Sequence, residues 1–278
     1  NITMRVQPGV VLDEIKKLAA TENLFYPPDP SNFRVSTIGG SIAQSSGGAK
    51  SFKYGTTKDY ILNLKVVLAD GTIMTLGANT IKDAVGYHLN QLMVGSEGTL
   101  AVVVEAELKL IPKPEITRVV TAYFDKIENA TSAVTEIMRA SVFPATIDFM
   151  DNNSIVTVEK FYPCGLDTTK NAMLLIELDG FESSMPTQQE RVEMALNKSG
   201  ASKVETKITL EEQEAVWTAR RASFAATTKL APDVVSDDII VPRDKLAQMV
   251  VGEKEICEKY HLQVCVVGHV GDGNIHPQ

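Results

Sequence analysis

Three times beyond residue 114, the apolar pattern switches from every second residue to every third or fourth, and back again. TRVVTAYF (117–124), NATSAVTEIMRAS (129–141) and TIDFMD (146–151) make the first strand, helix and strand. AMLLIEL (172–178), QQERVEMALNKSG (188–200) and SKVETKI (202–208) make the second. DDIIVP (237–242), DKLAQMVVGEKEICEKY (244–260) and LQVCVVGH (262–269) make the third. A period of two fits a strand and a period of 3.6 fits a helix, so neither element can take the other's place. Ala130, Val134, Ile137 and Met138 form the stripe of the first helix. EEQEAVWTARRASFAAT (211–227), between the second and third units, also reads as helical. The pattern predicts an α+β domain of ferredoxin-like type, with an antiparallel sheet and its helices on one face. The units are too dissimilar to be a true repeat.

Pro112 and Pro114 mark a boundary, predicting domains over 1–113 and 114–278. At 278 residues, 44% of them hydrophobic, the chain is long enough for two cores. In the first part, Val11, Ile15 and Leu18 have helical spacing after Pro8-Gly9, and Asn23 is a helix stop. Phe25 to Ser51 is rich in Pro, Gly, Ser and Asn and reads as a long loop, which inside a domain is usually functional. ILNLKVVLADGTIMTL (61–76) reads as a hairpin turning at Asp70-Gly71. Val102, Val104, Ala106, Leu108 and Leu110 alternate along one strand and are expected on one face. The opening NITMRVQPGV reads as the middle of a strand, so the sequence is expected to be a fragment.

Composition excludes several classes of function. Net charge is −8 with no basic block, which argues against nucleic acid and anionic membrane as partners. No apolar run approaches a membrane span. Cys164, Cys257 and Cys265 form no CxxC pair and read as reduced thiols, which implies a cytoplasmic setting.

Candidate chemistry is concentrated in a few stretches. In GHVGDGNIHPQ (268–278), a two-residue Asp272-Gly273 turn would put His269 directly opposite His276, with Cβ atoms roughly 5 Å apart. Two imidazoles that close can share a metal ion, although two ligands do not complete a site. The alternative is a solvated hairpin. TIGGSIAQSSGG (37–48) can bring backbone N–H groups close to a phosphate or ring. It is not GxGxxG, which argues against a nicotinamide site, and GSEGTL (95–100) lacks the P-loop lysine. Trp217 and Arg220 share a helix face, where an arginine can pair with a substrate carboxylate. The alternatives are a flexible loop for each glycine-rich stretch and a surface arginine packed along a tryptophan. His88, His261 and Cys265 read as structural or surface residues.

Taken in order, PPDPSN (27–32), TIGGSIAQSSGG, KYG (53–55), VVLADG (66–71), LMVGSEGTL (92–100), WTARR (217–221) and GHVGDGNIHPQ resemble the FAD-linked 2-hydroxy-acid dehydrogenase and oxidase family, which has the vanillyl-alcohol-oxidase-type flavin fold. Glycolate oxidase catalytic subunits and D-lactate and D-2-hydroxyglutarate dehydrogenases belong to it. The resemblance implies a partial FAD-binding domain followed by an antiparallel cap domain. It implies FAD contacts from Pro28, Asp29, Thr37, Gly39, Gly40, Ser41, Gly47, Gly48, Tyr54, Gly55, Gly95, Glu97 and Gly98. It implies that Arg220 holds the substrate carboxylate, and that His269 and His276 bind a divalent metal (zinc, manganese or iron) that polarises the substrate hydroxyl. The expected activity is oxidation of glycolate or D-lactate to the 2-oxo acid, with electrons passed to companion subunits. Those subunits would also supply any peripheral membrane attachment. Family members continue to a Glu-His-Gly segment carrying a third metal ligand and a base, and they begin with a further phosphate-gripping loop. Neither is present, so this stretch alone is expected to be inactive. Ser41 and Ser45-Ser46 depart from the family's Asn and Asn-Ala. Pro277-Gln278 favours a small substrate over a dicarboxylic one. Two other readings are a non-catalytic scaffold subunit and a flavoenzyme of the same fold with another substrate, such as an ether-lipid synthase relative.

Overall fold

The structure is a computed structural model that describes all 278 residues. Its contacts divide the chain into Asn1–Pro114 and Glu115–Gln278.

The first unit contains β1 (Thr3–Val6), α1 (Leu12–Thr21), β2 (Leu24–Phe25), α2 (Ile38–Gln44), α3 (Ser51–Tyr54), β3 (Ile61–Val67), β4 (Ile73–Gly77), α4 (Leu89–Met93), β5 (Val102–Lys109) and β6 (Ile111–Pro112). Its antiparallel sheet has the order β1-β5-β3-β4. Leu12, Ile15 and Ala19 of α1 join Ile38, Ile42, Leu64, Val66 and Leu108 in one core. The apolar stripe of α1 is therefore shifted from the expected one: Leu18 is exposed and Val11 is the residue before the first turn. Asn23 does stop the chain's helical course, at φ 56°. The expected single face of β5 also fails. Ala106, Leu108 and Leu110 are buried, but Val102 is exposed. Between the pairs Lys65↔Glu105 and Val66↔Val103 the register slips, and this bulge turns Val103 toward the core instead. The stretch read as a loop contains α2, capped by the Thr37 hydroxyl, which accepts from the Gly40 N–H. Two glycines in its first turn hide the helical pattern.

The second unit contains β7 (Ile116–Phe124), α5 (Ile127–Arg139), β8 (Thr146–Asp151), α6 (Asn152–Phe161), β9 (Ala172–Gly180), α7 (Met185–Lys198), β10 (Lys203–Lys207), α8 (Leu210–Arg221), α9 (Ser223–Thr227), β11 (Ile239–Ile240), α10 (Leu246–Lys259), β12 (Val266–His269) and β13 (Asn274–Pro277). One seven-stranded antiparallel sheet runs β10-β7-β9-β8-β12-β13-β11. Its first four strands have the ferredoxin-like order, and the last three extend it. α5, α7 and α10 pack together, with α5 and α7 against β7 and β9. Helices cover both faces, however, not one. Ile155 and Val158 of α6, Ala219 of α8 and Ala226 of α9 cluster with Tyr123, Met150, Met173, Leu175 and Val267 on the opposite face. The helix α6 has no clear apolar period in the sequence. It is started by Asp151, whose carboxylate accepts from the Ser154 N–H at 2.9 Å.

Candidate functional site

In the first unit, several residues expected at the cofactor converge around α2. The Gly95 and Glu97 N–H groups donate to the Ile42 and Ala43 carbonyls, at 2.8 and 3.0 Å. Gly95, Glu97 and Gly98 all have left-handed φ, which bends GSEG back onto the end of α2. Gly48 lies against Asp29 so closely that a Cβ there would be 2.2 Å from the Asp29 carbonyl oxygen. Its N–H donates to the Ser51 hydroxyl at 2.8 Å. Gly39 is similarly tight against Pro8, and a Cβ on Gly47 would reach the Ser51 hydroxyl at 2.7 Å. Tyr54 and Gly55 end α3, with the Tyr54 carbonyl accepting from the Tyr60 hydroxyl. Pro28 is buried. Ser41 is also buried, and its hydroxyl has no partner in the protein. An orphan hydroxyl next to backbone free of side chains fits a phosphate-bearing cofactor such as FAD.

In the second unit, the site is built on the sheet face that α6, α8 and α9 cover. The β12–β13 hairpin differs from the expected one. His269 pairs with Asn274 and Val267 with His276, so residues 270–273 form a four-residue turn. The turn gains two residues, 270 and 271, and this even number keeps the parity, so the two histidines still share a face as diagonal neighbours. Their ring centroids are 5.2 Å apart, edge to face. Gly273 is required in this turn: its φ is 87°, and a Cβ would be 2.1 Å from the Val241 carbonyl oxygen.

Asp148 of β8 lies opposite His269, one step beyond the pair Gly268↔Phe149. It is 1% exposed. Oδ1 is 2.6 Å from His269 Nδ1, and Oδ2 is 2.8 Å from Arg220 Nε. The Arg220 N–H does not point along that contact, which is an ion pair without a directed hydrogen bond. Arg220 comes from α8, and its Nη1 donates to the Ser223 hydroxyl at 3.4 Å. On the far side, Asp238 is 3.5 Å from His276 Nδ1 and accepts from the Asn274 amide at 2.7 Å. The buried Trp217 indole N–H, Asp272 Oδ1 and Asn274 Oδ1 lack protein partners.

Electrostatics separates these groups. Burial pushes Asp148 up, but His269 and Arg220 outweigh it and hold the carboxyl below its usual range. As a carboxylate Asp148 can only accept, so His269 Nδ1 carries the proton and donates. Burial lowers the His269 imidazolium, yet Asp148 wins and raises it overall. His276 goes the other way: burial first, then the charge of His269, lowers it to about 4. His276 is thus neutral at pH 7 and offers a lone pair.

The predicted trio Arg220, His269 and His276 is therefore gathered on one face through Asp148. Sequence reasoning missed Asp148 and Asp238. A signal for Asp148 was present, as an acid between Ile147 and Phe149 in the interior of a strand. His88 and His261 are exposed and distinct from this cluster, and Cys265 is buried. The two imidazoles fit two positions of a divalent ion, with Asp148 holding one ring by its other nitrogen. No set of three His, Cys, Asp or Glu side chains has metal-binding geometry, so the fit is to part of a site.

Comparison with known proteins follows the same division. A family described as FAD linked oxidases, C-terminal domain, matches residues 113–278, and an FAD binding domain family matches residues 1–77. The chain is 42% identical over 277 residues to glycolate oxidase subunit GlcD of Bacillus subtilis, covering 100% of this chain and 59% of that protein. It is 33% identical over 269 residues to the D-lactate dehydrogenase of Archaeoglobus fulgidus, covering 96% of this chain and 59% of the relative. The chain thus spans a little over half the length of these relatives. Among solved structures, an alkyldihydroxyacetonephosphate synthase superposes with a TM-score of 0.81 at 21% identity, over 99% of this chain and 57% of the other. A p-cresol methylhydroxylase superposes with a TM-score of 0.78 at 14% identity, over 99% and 62%. These two likenesses show the shared flavin-oxidase fold alone. The C-terminal match covers over half of the sequence and the FAD-binding match precedes it in the chain, so the chain belongs to the FAD-linked oxidase family.

Proposed function

We propose that this chain carries the substrate site of a flavin-dependent 2-hydroxy-acid dehydrogenase that takes glycolate or D-lactate to the 2-oxo acid. The observation that carries the reading is the placement of Arg220, His269 and His276 around one buried carboxylate, Asp148. Arg220 retains donors on its terminal nitrogens for a two-pronged pair with the substrate carboxylate. His276, neutral at pH 7, offers a nitrogen lone pair, and His269, with Nδ1 committed to Asp148, offers one at Nε2 once a bound cation displaces the proton there. Held by these two rings, a divalent ion (zinc, manganese or iron) would supply Lewis-acid polarisation of the hydroxyl. FAD held by the segments around α2 would supply the hydride acceptor. The small-substrate preference rests on Pro277-Gln278 and on the names of the relatives. The GlcD relatives are called subunits, which supports companion subunits as the electron outlet. No helix is long and apolar enough to cross a membrane.

The test is turnover by an intact protein carrying these residues, with an artificial electron acceptor. Glycolate or D-lactate should be oxidised. 1,2-Propanediol, which keeps the hydroxyl but lacks the carboxylate, should react at least about 100-fold more slowly, in line with the few kcal/mol a charged hydrogen-bonded pair contributes. Equal rates for acid and diol would refute the role of Arg220.

A further inference from the structure

The carboxylate of Asp148 has two oxygens and two partners, drawn from different elements of the fold. His269 reaches Oδ1 from β12, 121 residues along the chain, and Arg220 reaches Oδ2 from α8. Strand pairing fixes the first contact, because β8 and β12 are neighbours in the sheet and Asp148 lies opposite His269. Packing fixes the second, because Ala219, next to Arg220, is buried against Met150 and Val267 on the same face.

We propose that Asp148 is a positioning residue that couples the carboxylate-binding arginine to the ligating imidazole. It holds His269 in the Nδ1–H tautomer, so that Nε2 is the ring nitrogen left with a lone pair. It also holds Arg220 by charge at Nε, while Nη1 donates to the Ser223 hydroxyl. The proposal rests on the reading of this face as a hydroxy-acid site, although its central observable needs neither flavin, metal nor substrate. The Arg220 contact calls only for opposite charge. At His269 the demand is stricter, because Nδ1–H needs an accepting oxygen. Asparagine has nearly the same shape but only one accepting oxygen, and its amide group would meet either the His269 nitrogen or the guanidinium. At least one partner must then turn or change tautomer. A single atom exchange at Asp148 is therefore expected to disturb the site at His269, at Arg220 or at both.

The experiment is a long-range proton–nitrogen correlation spectrum of the 278-residue chain labelled with ¹⁵N-histidine, taken at a pH where His269 is neutral. The chain has four histidines, and a His269→Gln variant assigns the signal. In the wild type, His269 should show a protonated Nδ1 and an unprotonated Nε2. In Asp148→Leu, which leaves no acceptor for Nδ1–H, the Nε2–H form should appear, and Zn²⁺ should bind about 10–100-fold more weakly than to wild type. An Nε2–H tautomer in the wild type would overturn the proposal at once. So would a folded Asp148→Leu chain with an unchanged tautomer and Zn²⁺ affinity. Should that variant fail to fold, the wild-type spectrum still decides. Failure of wild-type chain to bind Zn²⁺ while its His269 tautomer is Nδ1–H would count against the metal in the proposed function, and not against the role of Asp148.

Discussion

Two neighbouring imidazoles cannot both stay charged in a buried place, and the protein resolves this by giving one of them a carboxylate. His269 has Asp148 at 2.6 Å, whereas Asp238 is 3.5 Å from His276 and largely exposed. Their shifts accordingly go in opposite directions. A second unusual acid lies outside the site. Glu253 of α10 has both oxygens buried without partners, and its pKa is raised to about 7, first by burial and then by Asp237 and Asp151. The folded state therefore holds a proton that the unfolded chain releases near pH 4.5. Stability is lost as pH rises from about 4.5 to about 7 and does not return above that. Glu253→Gln, neutral throughout, should raise the urea midpoint at pH 8 and have little effect below pH 4.5. A midpoint shift independent of pH would contradict this origin.

Element by element, the sequence pattern was a good guide wherever period and burial agree. TIDFMD is a strand over the expected residues, and the two ferredoxin-like strand–helix–strand units stand as read. It failed where a local feature overrides the period. A bulge in β5 exchanged Val102 for Val103 in the core, and glycines concealed α2. The hairpin is the instructive case. The face shared by His269 and His276 was legible because parity depends only on an even shift, while the turn length was not, because Val241 and Val270 also constrain it. Asp148 was harder still, since its contacts join strand and helix distant in sequence. The glycine loop offers a test at this scale. In Gly48→Ala, the new Cβ meets backbone rather than a flexible side chain, so the loop must move away from Asp29. A loss of about 1–3 kcal/mol in stability is expected. FAD affinity of the intact protein should fall by about tenfold for each 1.4 kcal/mol the loop contributes to binding. Wild-type FAD affinity in this variant would remove the loop from the cofactor site.

For the molecule as a whole, the division of labour follows its two units. One gathers the residues suited to a cofactor around α2, and the other builds a carboxylate-centred site on a seven-stranded sheet. The α+β class was legible from the alternation of strand and helix periods, and the FAD-linked family from ordered short motifs, none of them specific alone. The central claim is that Arg220 binds the acid whose hydrogen leaves as hydride. The direct measurement is anaerobic mixing of glycolate or D-lactate with an intact, FAD-loaded protein carrying these residues, following loss of the oxidised flavin's visible absorbance. Wild type should bleach with either acid, and Arg220→Met should need a far higher concentration, with a loss of about 100-fold or more in apparent affinity. Bleaching by Arg220→Met at wild-type concentrations, or none by wild type with any 2-hydroxy acid, would contradict the account.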